Sequence, residues 1–252
     1  FAVNTQIPIY GFICAAIAGA LLSILFAVLT QYIMSNQVAT GLGLTMVGLG
    51  LSALIGKPYE GIRSPTLSKI EIPILSDIPI LGPMIFSHDA IVYFSIILVG
   101  TVAFVISKTR IGLVLRAVGE NQEAAHALGY KVVRIRFLAI MFGGATAGIG
   151  GAYISLARVP QWTEGMTAGA GWIALALVVF ASWKPWRVLL GAYLFGGITV
   201  LQLNLQAIGV AIPVEILSMS PYLVTIVVLV GISLFGHHTA PGSLARPFHA
   251  SQ

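Results

Sequence analysis

Charged residues are scarce in this sequence. Asp, Glu, Lys and Arg make up 8% of its 252 residues, and none of them occurs before Lys57. A soluble domain carries about 25% charged residues, whereas 58% of the residues here are hydrophobic. A soluble core of this size does not hide so much apolar surface, so the solvent must be lipid. The net charge of +5 is then a signal of membrane orientation and not of nucleic-acid binding.

The sequence also lacks the motifs of catalytic and ATP-binding sites. It contains no HExxH, no GxSxG and no cluster of Cys and His. The nearest approach to a phosphate-binding loop, at residues 50–57, is one residue too long and has Pro58 in place of Ser or Thr. His237 and His238 have no third metal ligand spaced near them. We therefore predict that the chain is not an enzyme, and we assign it no catalytic residue, no metal and no cofactor.

Long apolar runs predict an all-α, polytopic transmembrane bundle. Residues 1–236 are expected to form the transmembrane domain, and residues 237–252 a cytoplasmic tail that is disordered. Because the chain begins at Phe1 without Met, we expect that an N-terminal portion is missing. About seven spans are visible, at residues 8–34, 38–56, 90–107, 137–156, 168–182, 188–205 and 220–235.

The distribution of Lys and Arg predicts the orientation of these spans. Six of the thirteen lie in the loop of residues 108–136, and nine lie in this loop, residues 183–187 and the tail together. Cytoplasmic loops are enriched in Lys and Arg, so these segments are predicted to be cytoplasmic. Residues 57–89 and 157–167 are then outside. Prolines break the first of these two, so its moderately apolar part is predicted to be interfacial or re-entrant.

No predicted span contains an acidic or basic residue. Proton- and ion-coupled carriers usually need one inside the membrane, although sodium sites can be built from carbonyls and hydroxyls. We therefore expect the energy for transport to come from outside this chain. The lone Cys14 lies in an apolar run and has no partner for an internal disulfide.

Small residues at helical spacing predict close helix packing in two spans. In the fourth span the pattern is a GxxxG sequence from Gly144 to Gly148. In the second span the small residues share one face, which either packs against a neighbour or lines a pathway. They are Gly41, Thr45, Gly48 and Ser52.

Polar side chains in two spans are candidates for a substrate pathway. Interhelical hydrogen bonding or an interfacial position is the alternative explanation for them. Gln202 and Gln206 share a helix face, and Asn204 points roughly the opposite way. The candidates near the inner end of the second span are Asn36, Gln37, Thr40 and Thr45, and those near the outer end of the sixth span are Gln202, Asn204 and Gln206.

The middle of the basic loop predicts a short helix. Residues 120–128 contain helix formers, and Gly129 is a stop signal. Nine helical residues span only about 13 Å, so the segment either docks another protein or forms a plain solvated loop. The residues expected to dock are Glu120, Asn121, Glu123, Ala124, Ala125 and Gly129.

Residues 123–129, EAAHALG, resemble the EAA-x-x-x-G pattern of permease subunits of bacterial ATP-binding-cassette (ABC) importers. The Ile-x-Leu-Pro half of that pattern is absent, because Ile140 lies one place off and no Leu-Pro follows, which argues against the maltose-type branch. The chain is instead similar to simple-sugar and nucleoside permeases of the ribose-type family over about residues 36–232. The stretches that carry this similarity include NQVATGLGLTMVGLGLSALIGKPYEGI, RAVGENQEAAHALGYKVVRIRFLAIMFGGATAGIGGAYISL and GAGWIALALVVFASWKPWRVLLGAYLFGG.

The resemblance implies a function and partners. Two permease chains, identical or different, would form a pore across the bacterial cytoplasmic membrane. Separate ATPase subunits would hydrolyse ATP and receive the short helix of the basic loop as a coupling helix. An extracytoplasmic lipoprotein of the basic-membrane-protein type would deliver the nucleoside or simple sugar. Other possibilities are a branched-chain amino acid permease, a secondary carrier or channel, and a membrane scaffold without transport activity.

Overall fold

The computed structural model describes residues 2–71, 87–167, 169–209 and 240–248, with short stretches between 213 and 231. A 3-10 turn follows the third helix at Lys57–Tyr59, and a π-helical turn extends the seventh at Ile154–Arg158. The helices and strands of the described residues are α1 (Ala2–Thr5), α2 (Pro8–Gln31), α3 (Gln37–Gly56), β1 (Lys69–Glu71), β2 (Ser87–Asp89), α4 (Ala90–Lys108), α5 (Arg110–Glu120), α6 (Gln122–Ala127), α7 (Val132–Tyr153), α8 (Ala170–Phe180) and α9 (Pro185–Ala207).

The chain divides into two compact units. The helix pair α2–α7 is the centre of the first unit, and the pair α8–α9 belongs to the second. The first comprises Phe1–Phe94, Val114–Ala168 and Gly242–Gln252, and the second comprises Ser95–Leu113 and Gly169–Pro241.

The predicted spans are helical over most of the residues that the structure describes. Helices occupy the first six predicted spans, while most of the seventh, residues 220–235, lies outside the described residues. Within the described part, five helices are long and apolar enough to cross a membrane. They start at Pro8, Gln37, Ala90, Val132 and Pro185. The chain is therefore a multi-pass helical membrane protein, but the predicted count of seven spans is not confirmed.

The fifth predicted span is shorter than expected. α8 has 11 residues, which is about 16 Å and roughly half of a hydrocarbon core. It begins after Gly169, whose φ of +80° is left-handed, and it ends before Ser182 and Trp183, whose φ values are also positive. Left-handed residues end a right-handed helix, so the backbone on both sides limits α8 to three turns.

Helices α2 and α7 pack as an antiparallel pair. Near the start of α2, Ala15 contacts Gly148, whereas near its end Tyr32 packs edge-on against Phe137 with ring centroids 6.4 Å apart. We call the two ends of this pair the Phe137 end and the Leu156 end. At the Leu156 end, Leu156 packs with Phe12 in a buried apolar cluster.

The basic loop contains more helix than the sequence analysis predicted. α5 occupies residues that were expected to be loop, and Glu120 is its last residue instead of the first residue of the short helix. The apolar residues Val114 and Val118 are four apart on the less exposed face of α5. That spacing is typical of an amphipathic helix, so the signal for α5 was present in the sequence.

The segment predicted to lie outside forms a small sheet that an all-α fold does not include. β1 and β2 pair antiparallel, with Lys69 opposite Asp89 and Glu71 opposite Ser87. The interfacial or re-entrant stretch predicted between them, residues 72–86, lies outside the described residues. His237 and His238 lie outside them as well.

The tail differs from the predicted disorder at residues 240–248. Ser243 is 5% exposed and Phe248 is 7% exposed, and both lie at the Phe137 end of the first unit. The reason is that the tail finds partners more than 100 residues away in the basic loop. The composition of the tail by itself could not predict those partners.

Candidate functional site

The short helix α6 is closed at both ends by its own sequence. Asn121 precedes it in an extended conformation, and its side-chain oxygen accepts a hydrogen bond of 3.0 Å from the Ala124 N–H. At the other end, Gly129 N–H donates to the His126 carbonyl and Tyr130 N–H donates to the Ala125 carbonyl. These two bonds form a Schellman motif, which needs a left-handed residue at its turn.

Gly129 supplies that left-handed residue. Its φ is +88°, a conformation that glycine adopts without the clash that a Cβ would cause. The stop signal predicted for the short helix is therefore present in the structure. Asn121 and Gly129 together limit α6 to six residues between the longer helices α5 and α7.

The exposure of α6 divides its residues into two groups. Glu123 and Ala124 are exposed, whereas Gln122 is 7% and Ala125 is 2% exposed. Ala125 packs with Val118, one of the cluster residues that α5 and α7 supply. The prediction that Ala125 seats in a partner's groove therefore does not agree with the structure, because a helix of six residues already uses one face against its own chain. Ala124 and Glu123 are exposed on the surface of the chain.

The predicted GxxxG glycines lie at the closest approach of α2 and α7. A Cβ on Gly144 would collide with the side chain of Ser23 and the carbonyl oxygen of Gly19, and a Cβ on Gly148 would collide with the carbonyl oxygen of Ala15. Only small residues lie between the two helices here, so their backbones approach closely, which is the arrangement that small-xxx-small patterns permit. The partner stripe on α2 was missed, although its small residues recur every four positions: Ala15, Gly19, Ser23 and Ala27.

The small-residue face predicted on α3 has less contact. A Cβ on Gly41 would lie 3.8 Å from the Phe26 ring, but a Cβ on Gly48 would meet no atom within 4 Å in the described part of the chain. Thr45 turns its hydroxyl back to the Gly41 carbonyl at 2.8 Å. A packing partner for Gly48 would have to come from residues outside the described ranges or from another molecule.

The polar candidates on α3 lie at its first turns. Asn36 caps the helix, because its side-chain oxygen accepts hydrogen bonds of 3.0 Å from both Val38 and Ala39. Thr40 shares a hydrogen bond of 2.7 Å with Ser35. Gln37 Nε2 is buried and has no hydrogen-bond partner among the described residues. Capping thus explains Asn36, while no hydrogen bond among the described residues explains Gln37.

The polar candidates on α9 belong to the second unit. Gln202 and Gln206 are both partly buried and four residues apart, whereas Asn204 is exposed. This agrees with the two faces expected from the helical period. The candidates on α3 belong to the first unit.

At the Leu156 end of the α2–α7 pair, two loops pair with each other. The Trp162 ring lies where a Cβ of Gly56 would be, and Ser64 N–H donates to the Pro160 carbonyl at 2.8 Å. Residues that follow α3 thus pair with residues that follow α7. Residues 114–136 of the basic loop and residues 242–248 of the tail lie at the opposite, Phe137 end, where Arg136 binds the tail.

Asp89 fixes the start of α4 at the Leu156 end. One carboxylate oxygen accepts hydrogen bonds from the Ile91 and Val92 N–H groups, and the other accepts from the Tyr153 hydroxyl at 2.9 Å. A carboxylate at a helix N-terminus is a favourable cap. No role was predicted for Asp89, although its position just before an apolar helix is a capping signal.

Comparisons with known proteins identify the family. The family described as "Branched-chain amino acid transport system / permease component" matches residues 1–233. No solved structure matches the chain. Within the part of the chain that the structure describes, no group of three or more His, Cys, Asp or Glu could hold a metal ion.

Three curated relatives cover most of the chain. TsgC13 of Haloferax volcanii, a permease protein assigned to a glucose ABC transporter, is 37% identical over 87% of this chain and 73% of its own length. The nucleoside ABC transporter permease protein NupC of Lactococcus lactis is 33% identical, over 90% and 74%. The guanosine ABC transporter permease protein NupQ of Bacillus subtilis is 33% identical, over 96% and 77%. The chain therefore belongs to the branched-chain amino acid transport system permease family.

Proposed function

We propose that this chain is the transmembrane permease subunit of an ABC importer for a nucleoside or a simple sugar. The proposal rests on three relatives that share 33–37% identity with most of the chain. They are named as nucleoside, guanosine and glucose ABC transporter permeases. The family description mentions branched-chain amino acids, but none of these three relatives is named for them. A branched-chain amino acid substrate is the alternative.

In this proposal the energy comes from separate ATPase subunits. Membrane carriers driven by ions usually keep a charged residue inside the membrane, and the described spans of the first unit carry such groups only near their ends. α6 is the element proposed to dock in the ATPase. It is short and capped at both ends, and its residues Glu123 and Ala124 are exposed on its surface. A second permease chain and an extracytoplasmic binding lipoprotein complete the proposed complex.

The proposed orientation places the basic loop in the cytoplasm and residues 57–64 and 158–162 outside. The count of Lys and Arg supports it. The geometry of the first unit supports it too. These two loop segments pair with each other at the Leu156 end, while residues 114–136 of the basic loop and residues 242–248 of the tail lie at the Phe137 end. The chain would then be a multi-pass protein of the cytoplasmic membrane.

Cysteine labelling tests this orientation. In a Cys14→Ser background, Arg63→Cys should react with an impermeant maleimide added to intact cells, whereas Glu123→Cys should react only after the membrane is opened. Both positions are exposed, so the difference reports the side of the membrane and not burial. Gln122 would be a poor reporter because its side chain is buried. Labelling of Glu123→Cys in intact cells without labelling of Arg63→Cys would show that the orientation is the opposite of the one proposed.

Uptake by a deletion strain tests the substrate. Cells that lack this gene should lose about 90% of their uptake of radiolabelled guanosine or of glucose, a tenfold change in rate, and the wild-type gene should restore it. Leucine uptake is the matched control, and it should not change. Loss of leucine uptake alone would favour the branched-chain amino acid alternative. Uptake that persists when cellular ATP is depleted and the ion gradients are kept would favour a secondary carrier.

A further inference from the structure

The tail segment of residues 242–248, which we call the clasp, fills the break between α5 and α6. The Ser243 N–H donates to the Gly119 carbonyl at 2.9 Å, and the Ser243 hydroxyl lies 3.3 Å from the Glu120 carbonyl. The same hydroxyl oxygen accepts from the Gln122 N–H at 3.1 Å. Helix ends leave backbone groups without partners. Ser243 therefore supplies partners to the last residues of α5 and the first residue of α6.

Phe248 ties the clasp to three helices at once. It is 7% exposed and packs in one cluster with Val118 of α5, Ala125 of α6 and Val132 of α7. The His126 ring of α6 meets the Phe248 ring edge-on, with centroids 5.2 Å apart. One aromatic side chain from the tail is thus the common neighbour of α5, α6 and α7.

Polar contacts join the clasp to the start of α7. Arg136 donates from Nη1 to the Arg246 carbonyl at 3.0 Å and from Nη2 to the Ser243 carbonyl at 2.9 Å. The planar guanidinium suits two parallel bonds of this kind. From α6, Gln122 Nε2 donates to the Pro247 carbonyl at 2.9 Å. The clasp is therefore bonded to α6 on one side and to α7 on the other.

α6 needs such support if it is to transmit force. A helix of six residues is too short to be stable by itself. The helix is interrupted on both sides, by Asn121 before it and by the left-handed Gly129 two residues after its end. α7 is the helix that packs backbone-to-backbone on α2. A movement of α6 reaches the membrane helices efficiently only if α6 and the start of α7 move together.

We propose that the clasp is the coupling strut of this permease. It fixes α6 to α7, so that displacement of α6 by the ATPase displaces the membrane helices, and Phe248 and Arg136 act as positioning residues. This inference rests on the proposed function of α6 as the ATPase-docking helix. It adds that residues near residue 248, far from the basic loop in sequence, determine how much transport each hydrolysed ATP produces.

Phe248→Ala is the variant that tests the strut, and Leu244→Ala is its matched control. Leu244 lies in the same segment but is 51% exposed. In the full complex, Phe248→Ala should keep ATPase subunits bound and hydrolysis near the wild-type rate. Transport per ATP hydrolysed should fall about fivefold or more, the lower part of the range for coupling between sites. Phe248→Leu should retain most of the wild-type transport per ATP hydrolysed, and Leu244→Ala should leave this ratio unchanged.

Hydrogen exchange on the chain in nanodiscs gives a readout that does not depend on transport. Amides of α6 should exchange about fivefold or more faster in Phe248→Ala than in wild type, because the strut no longer limits local opening. Amides in the middle of α7 should exchange as before. A purely structural role would instead lower assembly, hydrolysis and transport in proportion, and would raise exchange throughout the first unit.

The outcomes separate the strut from the proposed function. Wild-type transport per ATP and wild-type exchange in Phe248→Ala would overturn the strut while leaving the importer assignment in place. Wild-type complexes that show no ATP-driven uptake would refute the importer assignment, and the exchange data would still decide whether the clasp holds α6. If Phe248→Ala is not recovered folded, Arg136→Lys decides, because lysine keeps the charge but cannot bind two carbonyls in the guanidinium geometry.

Discussion

Gly144→Leu should push α2 away from α7 and destabilise the folded permease. The new side chain would have to occupy the position of Ser23 and of the Gly19 carbonyl, and backbone atoms cannot turn aside as a flexible side chain can. Overpacking of well-packed cores costs roughly 1–3 kcal/mol, and a clash with backbone belongs at the upper end of that range. For a chain of this size, such a loss lowers the midpoint of thermal unfolding by roughly 10 °C. Thermal unfolding in detergent, together with yield, measures it.

Gly143→Leu is the matched control for this prediction. Gly143 is the preceding residue of the same helix, and a Cβ there would meet no atom within 4 Å in the described part of the chain. The substitution adds the same volume and the same helix propensity, so it should change the midpoint by only a few degrees. Equal losses in the two variants would show that leucine is harmful anywhere on α7 and that close helix approach is not the cause.

The sequence predicted the membrane architecture because lipid imposes strong constraints on it. A span must be long and apolar, and its charged loops follow the orientation rule, so hydropathy and the count of Lys and Arg located six helices and the basic loop. Gly144 and Gly148 were found for the same reason: close approach of helices in lipid requires small residues. The span at α8 was predicted too long, because its ends are set by left-handed backbone at Gly169, Ser182 and Trp183.

The candidate site was less predictable because it is made by contacts that are distant in sequence. Ala125 appeared free to enter a partner, since nothing near it in sequence shows that Phe248 and Val132 cover it. The tail is polar and rich in Pro, Gly and Ser, and its composition indicates disorder. Its order comes from hydrogen bonds to Gln122 and Arg136, more than 100 residues away. Local features of the same site, such as the Asn121 cap and the Gly129 stop, follow from residue type alone.

Ala124→Trp should abolish ATP-driven transport while the chain folds normally. Ala124 is exposed on α6, so the indole does not enter the chain's own core. It would instead stand between α6 and the groove proposed to receive it. Loss of a well-packed contact at the centre of an interface costs about 2 kcal/mol or more, which corresponds to roughly a 30-fold weaker binding of the ATPase subunit. Co-purification of the ATPase and uptake of the radiolabelled substrate should both be lost.

Two further variants are the controls for this prediction. Ala125→Trp, one residue along, should fail in a different way, because Ala125 is 2% exposed beside Val118, Val132 and Phe248. There the indole overfills the chain's own cluster, so thermal stability should fall before docking can be measured. Lys131→Trp places the same group in the basic loop beyond α6, where it should leave both stability and ATPase binding nearly unchanged. If Ala124→Trp kept wild-type ATPase binding and transport, α6 would not be the docking helix, since no other outward position lies closer to its centre.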